Sequence, residues 1–172
     1  NAFNFLLGNP EFIYHDNPEG FAGGDYRDES DIDERLNASL LLYTATLDPS
    51  YLTYAETYYQ QDPTCIGDLS WKMISSFGIY HYLKLEEDTP FAQQLRQDFI
   101  NQISSLSGYC YGDNYQAAID TYVWVSNSYP ANRGILFMMV YDLTQDPHFR
   151  KLGMEQVSYL CGKNALNMSF IS

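Results

Sequence analysis

Basic residues are scarce in this sequence of 172 residues, which has 9 Lys and Arg against 22 Asp and Glu and a formal net charge of −13. A surface this acidic repels phosphate backbones and anionic lipids, so nucleic acids and membrane surfaces are poor candidate partners. Long hydrophobic runs are also missing, since the longest strongly apolar stretch spans 135–141. A transmembrane helix needs roughly 20 apolar residues, so the sequence predicts no membrane span.

Cysteine is also rare, with 3 residues and no CxxC pair. An odd count without paired spacing indicates neither a zinc knuckle nor a disulfide framework. Three free, mostly buried thiols are the expected state, and a single disulfide is the alternative. Apolar residues nevertheless make up 45 % of the chain, which excludes a wholly disordered protein. Aromatic residues reach 16 %, with 16 Tyr but only 2 Trp.

Glycine, proline, asparagine and aspartate concentrate in residues 1–33, and this composition predicts a long loop at the start of the chain. From Glu34 onward, apolar residues recur at helical spacing, which predicts six helices and an all-α fold. The faces expected to be buried include Phe77, Ile135 and Val157. The predicted helices begin near residues 34, 49, 71, 90, 132 and 147.

The junctions between the predicted helices repeat along the chain. An Asp-Pro pair occurs at Asp48 and again at Asp146, where the aspartate can cap a helix whose first residue is proline. Short turns of this kind alternate with long polar loops, which indicates about three αα-hairpins over 34–172. Such hairpins cannot bury their apolar faces alone, so they stack into a solenoid or close into a toroid.

Five carboxylates lie within seven residues at the junction between the loop and the first predicted helix, over 28–34. Oxygen ligands this closely spaced suit Ca²⁺. The alternative is that the charges stabilise the first helix through its dipole, with an aspartate or Ser30 as its cap. The spacing is not that of an EF-hand, so the sequence leaves both interpretations open.

A second polar and aromatic segment covers 120–128 and contains Trp124. An aromatic face beside amides and hydroxyls suits a sugar-binding cleft, because the ring stacks on pyranose C–H groups while polar side chains bind the hydroxyls. The alternative for Trp124 is a ring that closes the top of the helical core. His15, His81 and His148 are far apart in the sequence, and each is interpreted as structural rather than as a ligand or base.

Five segments resemble, in order and spacing, those of family 9 glycoside hydrolases over about residues 23–172. The most specific match is YLCGKNALNMSF at 159–170, which is similar to the family's YLLGKNPLNMSYV. The other segments are DERL at 33–36 with LYTAT and PSYL after it, LSW at 69–71, YVWVSNS at 122–128, and VYDLT with DP at 140–147.

This resemblance implies that residues 1–172 are a fragment, about half, of a single (α/α)6 toroid catalytic domain. The family hydrolyses β-1,4-linked glucans with inversion, so one carboxylate activates water and one carboxylic acid protonates the leaving oxygen. In the family both groups lie in motifs that this chain does not contain. No catalytic residue is therefore assigned, and neither Asp25 nor Asp120 is given that role. The missing remainder of the toroid is an expected partner.

The resemblance identifies candidate binding residues in this chain, but no catalytic ones. Tyr26 matches a cleft tyrosine of the family, and Trp124 matches an aromatic platform for a sugar. Ser30, Asp33 and Glu34 match part of a calcium site that is found in several members.

Three departures from the family pattern bear on these expectations. Lys72 replaces an aspartate that is a calcium ligand in some members, and its ammonium group could occupy the place of the cation. Asn37 replaces a tryptophan and Val125 replaces a glycine, which suggests a divergent subsite and a changed substrate.

The sequence thus predicts part of a secreted or periplasmic inverting β-glycosidase that acts on β-glucan or related oligosaccharides, with Ca²⁺ as a candidate cofactor. A non-catalytic carbohydrate-binding helical module of the same descent is one alternative. A protein-interaction α-solenoid, whose tyrosines belong only to its core and rim, is the other.

Overall fold

A computed structural model describes residues 2–11, 17–21, 28–112 and 114–171 of the chain. Over these ranges the chain forms seven helices and no β-strand, which confirms the all-α prediction. None of these helices is long and apolar enough to cross a membrane. The helices are α1 (Ala2–Gly8), α2 (Ile32–Thr46), α3 (Pro49–Gln61), α4 (Ser75–Leu83), α5 (Pro90–Tyr111), α6 (Ser128–Thr144) and α7 (Pro147–Leu160).

The prediction of an unbroken loop over 1–33 is wrong, because α1 lies within it. Tertiary contacts stabilise this short helix. The Phe3 ring is buried and packs edge-on against Tyr51 of α3, with 5.1 Å between ring centroids. The Arg35 guanidinium donates a hydrogen bond to the Asn9 carbonyl oxygen, just beyond the helix, at 2.9 Å. Helices this short depend on such contacts rather than on propensity, so composition did not indicate one.

The repeated Asp-Pro junctions form the same capped turn twice. Asp48 accepts a hydrogen bond from the Ser50 backbone N–H at 2.9 Å, and Asp146 accepts one from the His148 backbone N–H at 2.8 Å. In each turn the residue before the aspartate adopts a left-handed conformation, with φ of 57° and 59°. Proline occupies the start of α3, α5 and α7. The junctions therefore join α2 to α3 and α6 to α7 as αα-hairpins.

The hairpins α2–α3, α4–α5 and α6–α7 stack so that their helices form two rows. In the first row, the Gly78 N–H of α4 donates a hydrogen bond to Asn37 Oδ1 of α2 at 2.8 Å. The Tyr80 hydroxyl of α4 in turn donates one to Asp142 of α6, also at 2.8 Å. Helices α3, α5 and α7 form the second row, where side-chain hydrogen bonds join α3 to α5 and α5 to α7.

Apolar side chains fill the space between the two rows of helices. Fully burying one large aliphatic or aromatic side chain contributes roughly 1.5–3 kcal/mol, so this shared layer is the main source of stability. Cys65 and Cys110 are buried as well, Cys161 is exposed, and no disulfide joins them. The completely buried apolar side chains include Leu36, Leu40, Ile79, Leu95, Phe99, Ile103, Leu136, Phe137 and Val140.

Several apolar side chains of α2, α4 and α6 remain exposed among the described residues. Phe77 and Ile135, which the helical spacing predicted to be buried, are 39 % and 44 % exposed, and Leu41 and Met138 are exposed on the same row. An apolar groove of about 430 Å³ between α6 and α7 includes Val157, which was also expected to be buried. Spacing identifies apolar faces correctly, but burial depends on a neighbour that covers them.

Gly78 allows α2 and α4 to approach each other closely. A Cβ atom at this position would lie 2.8 Å from the backbone carbonyl oxygen of Asn37. We predict that Gly78→Ala lowers the free energy of unfolding by roughly 2 kcal/mol, because the backbone of one helix must shift to admit the methyl group. Urea denaturation followed by circular dichroism measures this change.

Gly108 in α5 is the matched control, because a Cβ atom there meets no heavy atom within 4 Å. Gly108→Ala is expected to raise the free energy of unfolding by about 0.5–1 kcal/mol, through helix propensity alone. Equal effects of the two substitutions would contradict the close approach of α2 and α4.

Candidate functional site

Two exposed tryptophans line one cleft at the end of the molecule where α4 and α6 begin. Trp124 is 92 % exposed and Trp71 is 62 % exposed, and the cleft between their segments has a volume of about 540 Å³. Apolar walls with a few polar groups are typical of small-molecule sites. The polar and charged side chains of the lining are Asp68, Ser70, Lys72, Ser128, Tyr129 and Asn132.

Trp124 lies in the tight turn that leads into α6. The Ser126 backbone N–H donates a hydrogen bond to the Val123 carbonyl at 3.1 Å, and the Ser128 N–H donates one to the Val125 carbonyl at 2.9 Å. This turn holds the indole of Trp124 out in solvent. The alternative of a ring that closes the helical core is therefore wrong, while its role as a sugar platform remains a prediction.

Trp71 is a cleft residue that sequence analysis did not identify. Its position was predicted to begin a helix, but α4 begins at Ser75, and Trp71 lies in a turn closed by two backbone hydrogen bonds between Ser70 and Met73, at 3.1 and 3.3 Å. The LSW segment contained a signal, since it places a tryptophan next to a serine, and Trp124 likewise has a serine two residues away. Helical spacing obscured it.

Ser30, Asp33 and Glu34 lie together at the start of α2. Ser30 Oγ accepts a hydrogen bond from the Ile32 N–H at 3.2 Å, and Asp33 Oδ2 accepts one from the Ile74 N–H at 2.6 Å. Asp33 thereby caps the N-terminus of α4 from a neighbouring helix, because the first N–H groups of a helix have no partner within it. Glu34 Oε2 is buried and has no hydrogen-bond partner.

Burial raises the pKa of the Glu34 carboxyl to about 8, and its hydrogen bond with Asp33 and the negative charges of Asp33 and Asp28 act in the same direction. The unfolded chain has the ordinary, lower pKa. Without a bound cation, the folded state therefore holds more protons, and Glu34 favours folding at low pH. That contribution is lost as the pH rises toward 8.

Ser30, Asp33 and Glu34 fit a bound cation only in part. Ser30 and Asp33 line a pocket of about 240 Å³ that also contains Asp28, and the buried oxygen of Glu34 lacks a partner. Lys72 lines the same pocket, however, in the position of a family ligand. Among the described residues no group of three or more His, Cys, Asp or Glu side chains is arranged to hold a metal ion. The calcium site remains a prediction, as does stabilisation of the α2 dipole.

Tyr26, the other predicted substrate contact, lies outside the described residues, as do Asp25 and His15. His148 lies in the first turn of α7, within 3.3 Å of the Tyr111 hydroxyl, and is remote from the cleft lining. The structure thus brings Trp124 together with Trp71 in one cleft. Ser30 and Asp33 line a neighbouring pocket, and Lys72 contributes to the lining of both.

Comparison with known proteins assigns the chain to a family. The model of glycosyl hydrolase family 9 matches residues 1–172. The chain belongs to glycosyl hydrolase family 9. Similar proteins include Endoglucanase C of Cellulomonas fimi, 27 % identical over 156 residues, and a Cellodextrinase of Butyrivibrio fibrisolvens, 24 % identical over 196 residues. These alignments cover 87 % and 99 % of this family 9 chain but 14 % and 34 % of the two relatives.

Solved structures of family 9 enzymes share the fold. A metagenome-derived family 9 endoglucanase matches 98 % of the chain with a TM-score of 0.85 and 22 % identity. AaCel9A, solved in complex with cellobiose-like isofagomine, matches 95 % with a TM-score of 0.79 and 22 % identity. The family 9 chain covers 32 % of each of these structures. Its three hairpins are thus part of an (α/α)6 barrel, as the resemblance implied.

The backbone conformation of Val125 explains why a glycine is typical of this position in the family motif. Val125 has φ of 61°, a left-handed conformation that is strained for a β-branched residue. We predict that Val125→Gly raises the free energy of unfolding by about 0.5–1 kcal/mol, because relief of strain exceeds the entropy that glycine adds to the unfolded state. Thermal unfolding measures the change.

Val123 provides the matched control, since it is exposed in the same segment but is not among the residues with positive φ. Val123→Gly is expected to lower stability by about 0.5–1 kcal/mol, because only the entropic cost applies. A loss of stability in Val125→Gly as large as that in Val123→Gly would show that the turn is unstrained.

Proposed function

We propose that the protein carrying this chain is a glycosidase that hydrolyses β-1,4-linked glucan or related oligosaccharides with inversion. The observation that carries the proposal is the cleft of a family 9 chain that presents two exposed tryptophans beside hydroxyl and amide groups. The relatives named endoglucanase and cellodextrinase support this substrate class.

The cleft is suited to bind sugar rings rather than to cleave them. The faces of Trp71 and Trp124 can stack on pyranose C–H groups, while Ser128 and Asn132 can bond to hydroxyls. A glucan is neutral, so the acidic surface of the chain does not repel it. This part of the protein therefore supplies subsites that hold and orient the chain to be cut.

The catalytic carboxylates in this proposal lie outside the 172 residues. Inversion needs one carboxylate to activate water and one carboxylic acid to protonate the leaving oxygen, about 6.5–9.5 Å apart. Asp68 lines the cleft, and Asp120 lies four residues before the cleft residue Trp124. Both aspartates, however, are paired with the guanidinium of Arg133. Each of these carboxylates therefore has a structural partner, which ties it to α6. The chain spans 34 % or less of the curated relatives that it matches, which leaves room for both groups elsewhere.

The remainder of the barrel is the proposed cover for the exposed apolar row. Leu41, Phe77 and Ile135 are exposed on α2, α4 and α6, and the apolar groove between α6 and α7 adjoins them. Further αα-hairpins of the same domain would bury this surface, as hairpins do in closed toroids. We also propose that the protein acts outside the cytoplasm, secreted or periplasmic, where polymeric glucans are found.

Trp124 is the residue that tests the proposal. We predict that Trp124→Ala weakens binding of cellohexaose about tenfold or more, because an exposed ring loses its stacking contact with the sugar. Stability is expected to stay within about 0.5 kcal/mol of the unchanged protein, since the side chain is almost wholly in solvent. Isothermal titration calorimetry of the whole protein with a thio-linked analogue of cellohexaose, which a glycosidase does not cut, gives the affinity, and thermal unfolding gives the stability.

Phe5→Ala is the control, because Phe5 is an exposed aromatic on α1 that does not line the cleft. It is expected to leave the affinity unchanged. A protein-interaction solenoid would bind no cello-oligosaccharide at all. Sugar binding without hydrolysis by the whole protein would favour the carbohydrate-binding module, and hydrolysis by the isolated 172-residue chain would contradict the external position of the carboxylates.

Calcium is a second proposal, with Ser30, Asp33 and Glu34 as ligands. Two carboxylates and a hydroxyl are the oxygen donors that Ca²⁺ prefers, and the buried oxygen of Glu34 has no other partner. Lys72 competes with the cation, because its ammonium group shares the pocket. Calcium is therefore proposed to stabilise the fold and to take no part in the reaction. Its affinity is expected to be lower than it would be without Lys72 in the pocket.

Lys72→Asp tests this proposal by restoring a family ligand. We predict that 5 mM Ca²⁺ raises the melting temperature of Lys72→Asp, relative to EDTA, by more than it raises that of the unchanged protein, because a ligand of the folded state stabilises it by mass action. Lys151→Asp makes the same change of charge on α7, away from the pocket, and is expected to leave the response unchanged. A melting temperature that Ca²⁺ moves in none of the three proteins would overturn the calcium proposal.

A further inference from the structure

Arg133 is a buried cation beside the tryptophan cleft. It lies in α6 and is 3 % exposed. Its Nη2 atom lies 2.6 Å from Asp68 Oδ2, and its Nε–H donates to the same oxygen at 2.7 Å. Its Nη1 atom donates to the Ala118 carbonyl at 2.7 Å and lies 3.4 Å from Asp120 Oδ1. One guanidinium therefore binds two separate loops.

Each of these loops leads directly to a tryptophan of the cleft. Asp68 lies three residues before Trp71, and Asp120 lies four residues before Trp124. The neighbouring Asn132 strengthens the first connection, since its side-chain amide donates to the Leu69 carbonyl at 2.7 Å. The two platforms are thus anchored to the same turn of α6.

Two tyrosine rings make cation–π contacts with the guanidinium of Arg133. The Cζ atom of Arg133 lies 4.3 Å from the ring centroid of Tyr109 and 4.8 Å from that of Tyr129. The planar guanidinium of arginine can stack on aromatic rings and donate hydrogen bonds in several fixed directions at once. The ammonium group of lysine cannot reproduce this arrangement. A buried charge is costly unless it is fully paired, so this many partners around one side chain fix its position closely.

We propose that Arg133 is a positioning residue that sets the spacing of the Trp71 and Trp124 platforms, and so determines how an extended glucan is bound across both. The proposal rests on the proposed function for its ligand. The positioning itself is a property of the folded chain and can be measured without sugar.

The sequence has 2 Trp, which makes the platforms directly observable. With 5-fluorotryptophan incorporated into the protein that carries this chain, the ¹⁹F NMR resonances of the two platforms are those that disappear in Trp71→Phe and in Trp124→Phe. We expect Arg133→Lys to shift or broaden both resonances in the absence of sugar. Arg96→Lys is the control, because Arg96 is a partly buried arginine that donates to the Leu83 and Leu143 carbonyls, outside the cleft lining, and it is expected to shift neither.

Binding to a thio-linked analogue of cellohexaose, which a glycosidase does not cut, supplies the second measurement, in the protein that carries this chain. Arg133→Lys is expected to weaken the affinity about tenfold when both tryptophans are present, and less than twofold in a Trp71→Ala/Trp124→Ala background, because the effect acts through the rings. If Arg133 had only a structural role, Arg133→Lys would weaken binding by the same factor in both backgrounds. That result would overturn the proposal.

Asp68→Asn keeps the test decisive if Arg133→Lys does not fold. It retains an acceptor for the guanidinium but removes the charge, so the Trp71 resonance is expected to move more than that of Trp124. Unchanged resonances in a folded variant would overturn the inference. If the unchanged protein binds no cellohexaose while the resonances move, the proposed function fails and the positioning role stands.

Discussion

The parallel alignment of α2, α4 and α6 determines where each candidate site of this chain can lie. Because every hairpin reverses the chain, these three helices run in the same direction, and their N-termini meet at one end of the stack. Two hydrogen bonds connect these N-termini. Asp33 of α2 accepts one from the Ile74 N–H at the start of α4. Asn132 of α6 donates the other to the Leu69 carbonyl, just before α4. The acidic segment and both tryptophans precede these N-termini, so the same alignment gathers them.

Two cations of this chain lie inside the fold, beside acidic partners. Two of the 9 basic residues, Arg35 and Arg133, are buried, and each binds a loop to a helix. Both are paired with carboxylates, Arg35 with Asp31 and Arg133 with Asp68 and Asp120, so the net charge stays at −13. Arg133 in this way connects the described segments that precede Trp71 and Trp124 to α6, through Asp68 and the Ala118 carbonyl.

The parts of the structure that were predictable from sequence are those that depend on neighbouring residues. The caps at Asp48 and Asp146 form within one turn of chain, so their motif was sufficient. The exposure of Phe77 was not predictable, because it depends on whether another helix covers α4. Trp71 was missed for a different reason: its turn is closed locally, by hydrogen bonds between Ser70 and Met73, but the helical spacing of the apolar residues around it predicted a helix there.

The family departures at Asn37 and Val125 have different physical meanings, although the sequence suggested one explanation for both. Asn37 lies between two helices, where its carboxamide oxygen accepts a hydrogen bond from the Gly78 N–H at 2.8 Å. At so close an approach a tryptophan would need α2 and α4 to separate, so Asn37 and Gly78 are a matched packing pair. Val125 instead belongs to the turn that presents Trp124. The first departure therefore concerns how the hairpins pack, and only the second lies where it can alter the binding of a sugar.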